Sequence, residues 1–131
     1  MTSKKENVIV EKSKSFAIDV VRLYQNIVAT KREFVLSKQL LKSGTSIGAN
    51  VYEAIKGQST ADFISKLSIS LKESSETEYW LDLLHSTDYI SEATKELMIT
   101  KNRELQKILT SIINTKKANF TLERENLRQR P

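Results

Sequence analysis

Ser43-Gly44-Thr45-Ser46-Ile47-Gly48-Ala49-Asn50 decides the fold of this chain, because it sets two glycines and a run of small side chains inside a segment whose flanks are helical. Leu36, Leu40, Ile47, Val51 and Ala54 fall on one side of that segment, so the pattern predicts a helix over 34–56 with Gly57 as its stop. A glycine inside a helix costs about 1 kcal/mol relative to alanine. Two of them call for a compensating contact. Gly44 and Gly48 lie four apart and share a face, where the missing Cβ lets another helix approach closely. Ser43, Gly44, Ser46, Gly48 and Ala49 are therefore read as a close-packing face. A phosphate cradle is the other use of clustered glycines, but it needs a preceding strand and a following Gly-Lys-Ser/Thr, and the chain has neither.

Outward from this segment the same periodicity recurs. Phe16, Val20, Leu23 or Tyr24, and Ile27 define a first helix that starts near Asn7 or Glu11 and ends at Ala29, followed by a short polar link. Ser59 or Thr60 caps a third helix with Asp62 in its first turn. Its line is Ile64, Leu67, Leu71, Ser74, Glu78, Leu81 and His85, a heptad pattern with a polar middle, flanked by Phe63, Trp80 and Leu84. Ser91 caps a fourth, in which Met98, Leu105, Ile108 and Ile112 continue an apolar face to about Lys117. Residues 100–104 have no apolar side chain, so this helix is expected to fray or face solvent there. Four helices with short links predict an all-α, antiparallel up-down-up-down four-helix bundle.

Composition agrees. The chain of 131 residues has one proline, three glycines and no cysteine. It fits a single domain over 1–118, followed by a basic C-terminal tail over 119–131 that is either a short helix or disordered. No leader sequence and no apolar run of roughly 20 residues is seen, so the expected location is cytoplasmic and no membrane partner is expected. The net charge of +5 resides at the ends: residues 1–15 carry +2, residues 116–131 carry +3, and the body between holds twelve basic and twelve acidic side chains.

The chemistry-bearing residues are sparse. Glu53, Glu73, Glu76 and Glu78 are expected to be partly solvated or to hydrogen-bond across helices as a polar layer. A di-iron centre in a bundle needs Glu-x-x-His on two helices, whereas this chain has one histidine, in Asp82-x-x-His85. No metal site and no cofactor are expected. Ser, His and Asp occur without an elbow turn or an oxyanion-hole signature, so no catalytic residues are assigned. Tyr79 and Trp80 are adjacent and point apart on a helix, which suits packing and an interface better than base stacking. For nucleic acid the candidates are Lys31, Lys38 and Lys42, roughly aligned if the second helix extends back to Lys31, with Lys116, Lys117, Arg124, Arg128 and Arg130 of the tail. Repeated around an oligomer, such a stripe becomes multivalent.

The segment from Ser37 through Ala54, together with Ser15-Phe16-Ala17, Leu23-Tyr24, Asp62-Phe63-Ile64-Ser65-Lys66-Leu67 and Lys72-Glu73-Ser74-Ser75-Glu76-Thr77-Glu78-Tyr79-Trp80-Leu81, resembles the bacterial four-helix bundle family also called 23S rRNA intervening-sequence proteins. The likeness spans about residues 7–115. It implies an up-down bundle that associates with itself as a ring, typically a homopentamer, with no known enzymatic activity. It also implies RNA, or an RNA-associated protein such as a reverse transcriptase, as a partner, since the accessory variability determinant of diversity-generating retroelements is a relative. A homo-oligomeric scaffold or adaptor is thus the leading expectation, and a purely structural protein-interaction module the alternative.

Overall fold

The computed structural model describes residues 2–129, which form four helices and no strand. They are α1 (Lys4–Lys31), α2 (Leu36–Ile55), α3 (Thr60–Ser86) and α4 (Glu92–Arg128). Each helix packs against the next in sequence, and α1 also packs against α4, which closes the set around one core. Contacts between neighbours run in opposite senses: Ser70, Thr77 and Lys66 of α3 reach Ile47, Ser43 and Glu53 of α2. Likewise Lys5, Lys12 and Asp19 of α1 meet Ser111, Glu104 and Lys101 of α4.

The helix ends follow from local chemistry. α1 begins at Lys4, earlier than its apolar stripe suggests, because Ser3 and Glu6 form a reciprocal capping box: the Glu6 N–H donates to Ser3 Oγ at 3.2 Å and the Ser3 N–H to Glu6 Oε2 at 2.9 Å. α1 ends where Arg32 adopts a left-handed backbone, φ 54°. Ser59 and Ser91 accept hydrogen bonds from the N–H groups of Asp62 and Thr94 and start α3 and α4. Past Ile55, Gly57 donates its N–H to the Ala54 carbonyl, and the Asp62 carboxylate lies 2.7 Å from where a Cβ on Gly57 would stand.

Ile9, Phe16, Val20 and Ile27 of α1, Leu40, Ile47, Val51 and Ala54 of α2, and Met98, Leu105, Leu109 and Ile112 of α4 are buried. Gly44 and Gly48 face α1. A Cβ at Gly44 would stand 2.7 Å from Val20 Cγ2 and 2.8 Å from Cγ1, and one at Gly48 would lie 3.3 Å from the Ser13 carbonyl oxygen. The α1–α2 approach thus uses the glycines within the chain.

The third helix differs from its expected register. Phe63, Leu67, Ser70, Ser74, Thr77, Leu81 and Leu84 face inward, and Ile64, Leu71, Glu78 and His85 are only partly covered. The inward line is thus offset by one residue at four of its positions, because the hydroxyls of Ser70 and Thr77 find partners inside. Ser70 Oγ donates to the Ile47 carbonyl at 2.9 Å, while the Thr77 hydroxyl lies 2.8 Å from the Glu73 carbonyl and 3.0 Å from Ser43 Oγ.

The polar middles of the third and fourth helices meet. Ser74 Oγ donates to Asn102 Oδ1 at 2.6 Å, and Asn102 Nδ2 donates to the Ser74 carbonyl at 2.9 Å, both residues being fully buried. Residues 100–104 therefore stay helical, with Thr100, Lys101, Arg103 and Glu104 facing solvent as expected and Asn102 alone carrying a satisfied hydrogen-bond pair into the core. No buried side-chain nitrogen or oxygen among the described residues lacks a partner. α4 also passes Lys117 and stays helical to Arg128, so the described part of the tail is helix; Ala118, Leu122, Glu123, Arg124, Glu125, Leu127 and Arg128 favour helix, with no glycine or proline among them to stop it.

Two outcomes check this packing. Gly44→Ala would gain about 1 kcal/mol from helix propensity alone. Against the stiff, β-branched Val20 it should instead lose roughly 1–3 kcal/mol in a urea titration, and Val20→Ala in the same chain should recover part of the loss. Asn102→Ala should cost about 1–3 kcal/mol by leaving the Ser74 hydroxyl and carbonyl buried without their partner.

Candidate nucleic-acid interface

The corner between α1 and α2 positions the first basic group. Glu33, buried in that corner, accepts hydrogen bonds from the backbone N–H groups of Val35 (2.8 Å), Leu36 (2.8 Å) and Ser37 (2.7 Å), and so caps a helix whose own N-terminal residue, Val35, offers no side-chain bond. Burial opposes ionisation of Glu33, but the three backbone donors and the Ser37 side chain outweigh it, and its pKa is lowered. Sequence reading passed over Glu33 as part of a polar link. An acidic residue two to four positions ahead of a helix that lacks a capping Ser, Thr, Asp or Asn was the available signal. The cap sets the start of α2, from which Lys38 and Lys42 project into solvent, with Lys31 exposed in the last turn of α1.

Lys42 also faces Glu73. Burial and the neighbouring Glu76 raise the Glu73 pKa, with Lys72 and Lys42 offsetting part of the rise. The four glutamates do not form a core layer. Glu53 pairs with Lys66 at 3.0 Å and Glu78 with Arg103 at 2.9 Å across helices near the surface, Glu73 is half-buried and Glu76 is exposed. Ser43, Ser70, Ser74, Thr77 and Asn102 occupy the core instead, because neutral hydroxyls and amides can be satisfied there without desolvating a charge.

The second basic group lies at the other end of α1, roughly 40 Å away along a helix of 28 residues. Lys116 sits over the Phe63 ring at 5.1 Å and near Glu6, whose carboxyl is opposed by burial yet held below the usual range by the Ser3 hydrogen bonds and by Lys116. Lys117 and Arg128 are exposed, and Arg124 lies over the Phe120 ring at 5.6 Å. Arg130 lies outside the described residues. Lys31, Lys38 and Lys42 are therefore not joined with the tail cations into one surface. Of the tail cations, Lys116 shares a hollow with Lys4 and Lys5 of α1, which also meet Lys107 of α4, a juxtaposition that sequence spacing did not suggest.

Along the α1–α4 seam the two halves differ. In one, Lys12 pairs with Glu104 and Lys101 with Asp19. In the other, Lys4, Lys5 and Lys107 form no salt bridge among the described residues and rim a hollow of about 330 Å³ floored by Val8 and Ile108, continuous with a second beside Ile112. Elsewhere, Phe34, Val35, Tyr52, Tyr79 and Leu97 are exposed, and Lys56 lies over the Tyr52 ring at 4.4 Å. Among the described residues no three His, Asp or Glu side chains are placed to hold one metal ion, and no helix is long and apolar enough to cross a membrane.

The family model for the 23S rRNA-intervening sequence protein matches residues 5–111. The chain belongs to that family. The fold is similar to the crystal structure of a protein of unknown function from the S23 ribosomal protein family of Bacteroides thetaiotaomicron, with a TM-score of 0.83 and 53% identity over 84% of this chain and 98% of that one. No curated protein matches the chain. Within the 23S rRNA-intervening sequence protein match lie the close-packing glycines, the buried Ser74–Asn102 pair and Lys31, Lys38 and Lys42; outside it lie Lys116, Lys117, Arg124 and Arg128.

The two shifted carboxyls act in opposite senses. Glu33, with its pKa lowered, contributes stability that is present above the ordinary carboxylate range and is lost as pH falls through the lowered value. Glu73, with its pKa raised, costs stability while ionised, a cost that disappears as pH falls toward the ordinary range. At pH 7, Glu33→Gln should therefore destabilise the fold by about 1 kcal/mol, the worth of a lost cap, whereas Glu73→Gln should raise the melting temperature. Both differences should shrink in melts at pH 3.

Proposed function

We propose that the protein is a non-enzymatic homo-oligomeric scaffold, an up-down-up-down bundle that assembles as a ring, pentameric in the form its family resemblance implies. It engages RNA, or an RNA-associated protein such as a reverse transcriptase, through its basic end. The observation that carries this reading is the meeting of Lys4 and Lys5 with Lys107 and Lys116 along the α1–α4 seam, with Lys117, Arg124 and Arg128 exposed on the turns of α4 that follow. Such clustering favours a polyanion, and copies of it around a ring multiply weak phosphate contacts into useful affinity. The opposite senses of the contacts between neighbouring helices support the up-down arrangement.

The alternative, an interaction module for proteins alone, draws on exposed Phe34, Val35, Tyr52, Tyr79 and Leu97. The two readings part in one experiment. Light scattering at micromolar concentration should give a multiple of the protomer mass, and filter binding to single-stranded RNA should fall steeply between 50 and 200 mM salt, roughly in proportion to the phosphates contacted. Lys117→Gln, Arg124→Gln and Arg128→Gln together should weaken retention about tenfold or more, and Lys38→Gln with Lys42→Gln much less. A monomer would remove the scaffold reading. Retention independent of salt, or absent, would leave the protein-interaction module.

A further inference from the structure

The last turns of α4 are helix without a partner. α4 has 37 residues against 28 in α1, whose first turn lies beside Thr115 and Asn119, so 120–128 run on past the bundle. The core-facing stripe nevertheless continues. Ile113, Phe120 and Leu127 are spaced by seven along one line, with Glu123 beside it, yet Leu127 is 64% exposed and Phe120 is covered only in part, by Arg124. A few helical turns with no packing fray in water. This stretch also lies outside the family match.

We propose that these turns dock in the open α1–α4 groove of a second copy, reciprocally about a two-fold axis near the end of the bundle. The groove and the projecting helix adjoin at Lys116 and Asn119, which is the arrangement a two-fold pair requires: each copy offers at one place both the segment that docks and the hollow that receives it. Their lengths match, since the groove follows α4 from Lys107 to Asn119, roughly 18 Å, and the projecting turns span roughly 14 Å. Their chemistry matches as well. Phe120 and Leu127 meet the floor of Val8, Ile108 and Ile112, and Glu123 arrives level with Ser111, where Lys5 already donates a hydrogen bond at 2.7 Å.

A second copy fits better than end-to-end pairing of the projecting helices. In an antiparallel two-fold pair of the ends alone, Arg124 would face Arg124 and Glu123 would face Glu123, and the groove would stay empty. Docking in the groove places Glu123 against lysines instead. It leaves Lys117 and Arg128 outside the docked face, so the contact is compatible with anion binding at the same end and does not depend on it. A specific dimer needs roughly 1,200 Å² in total, a demand that two equivalent dockings divide between them.

The absence of cysteine makes the register directly testable. Full-length chains carrying Leu127→Cys and Ile108→Cys, each checked by circular dichroism for an unchanged fold, are mixed and oxidised. The expected product is the mixed disulfide, with little coupling of either variant to itself, because only residues whose Cα atoms come within about 7 Å can be bridged. Coupling of the Leu127→Cys chain mainly to itself, or no disulfide at all, would overturn the proposal. The two-fold contact joins one ring to a second, so in light scattering Leu127→Glu should leave single rings with half the protomers of the paired assembly, and an unchanged number would also overturn the proposal. Mixing Leu127→Glu with Val8→Glu should restore part of the assembly that each lacks alone, since one of the two dockings survives in the mixed pair; no restoration counts against the register.

Discussion

The approach of α1 to α2 over Gly44 is the constraint on which the remaining packing depends. With the Val20 methyls standing where a Cβ would have to go, the two helices lie closer than ordinary side chains permit, and Gly48 extends the same contact to the backbone of Ser13. Two poor helix formers are tolerated there because the helix is held from outside rather than by propensity. Phe16, Val20 and Ile27 then meet Leu40 and Ile47 in the shared core, and α3 and α4 close it on the other side.

That closure is unusual in being partly polar. Ser43, Ser70, Ser74, Thr77 and Asn102 run through the centre, each hydrogen-bonded, and they tie α2 to α3 and α3 to α4 at defined positions. Apolar contacts alone would tolerate a helix sliding by a turn, whereas the Asn102 amide, which accepts from the Ser74 hydroxyl and donates to the Ser74 carbonyl, is satisfied in one register only. The same logic explains why the glutamates stay near the surface: a carboxylate in this centre would need a cation beside it, and the available ones pair where water can still reach them.

The features on which the proposed function rests lie at the surface and the ends. The bundle brings Lys4 and Lys5 in the first turn of α1 beside Lys107 and Lys116 of α4, so cations that are far apart in sequence become neighbours. Phe120 and Leu127 follow on α4, and the lysine-rimmed groove has an apolar floor. The proposed polyanion contact and the proposed self-association share the region while drawing on different faces of α4.

The sequence by itself determined the four helices, the cap at Ser91 and the choice of Ser59 or Thr60 for α3, the small-residue face at Gly44 and Gly48, and the membership of the family, because periodicity, capping chemistry and glycine cost are local properties. Tertiary structure alone decided which line of α3 faces inward, since Ser70 and Thr77 are polar by composition and become core residues only through partners on α2. The meeting of two polar stretches as Ser74 and Asn102, the capping of α2 by Glu33, and the separation of Lys38 and Lys42 from Lys117 and Arg128 were decided in the same way. Each depends on where residues distant in the chain come to lie, and a side chain's spacing along its own helix does not record what the neighbouring helix will offer it.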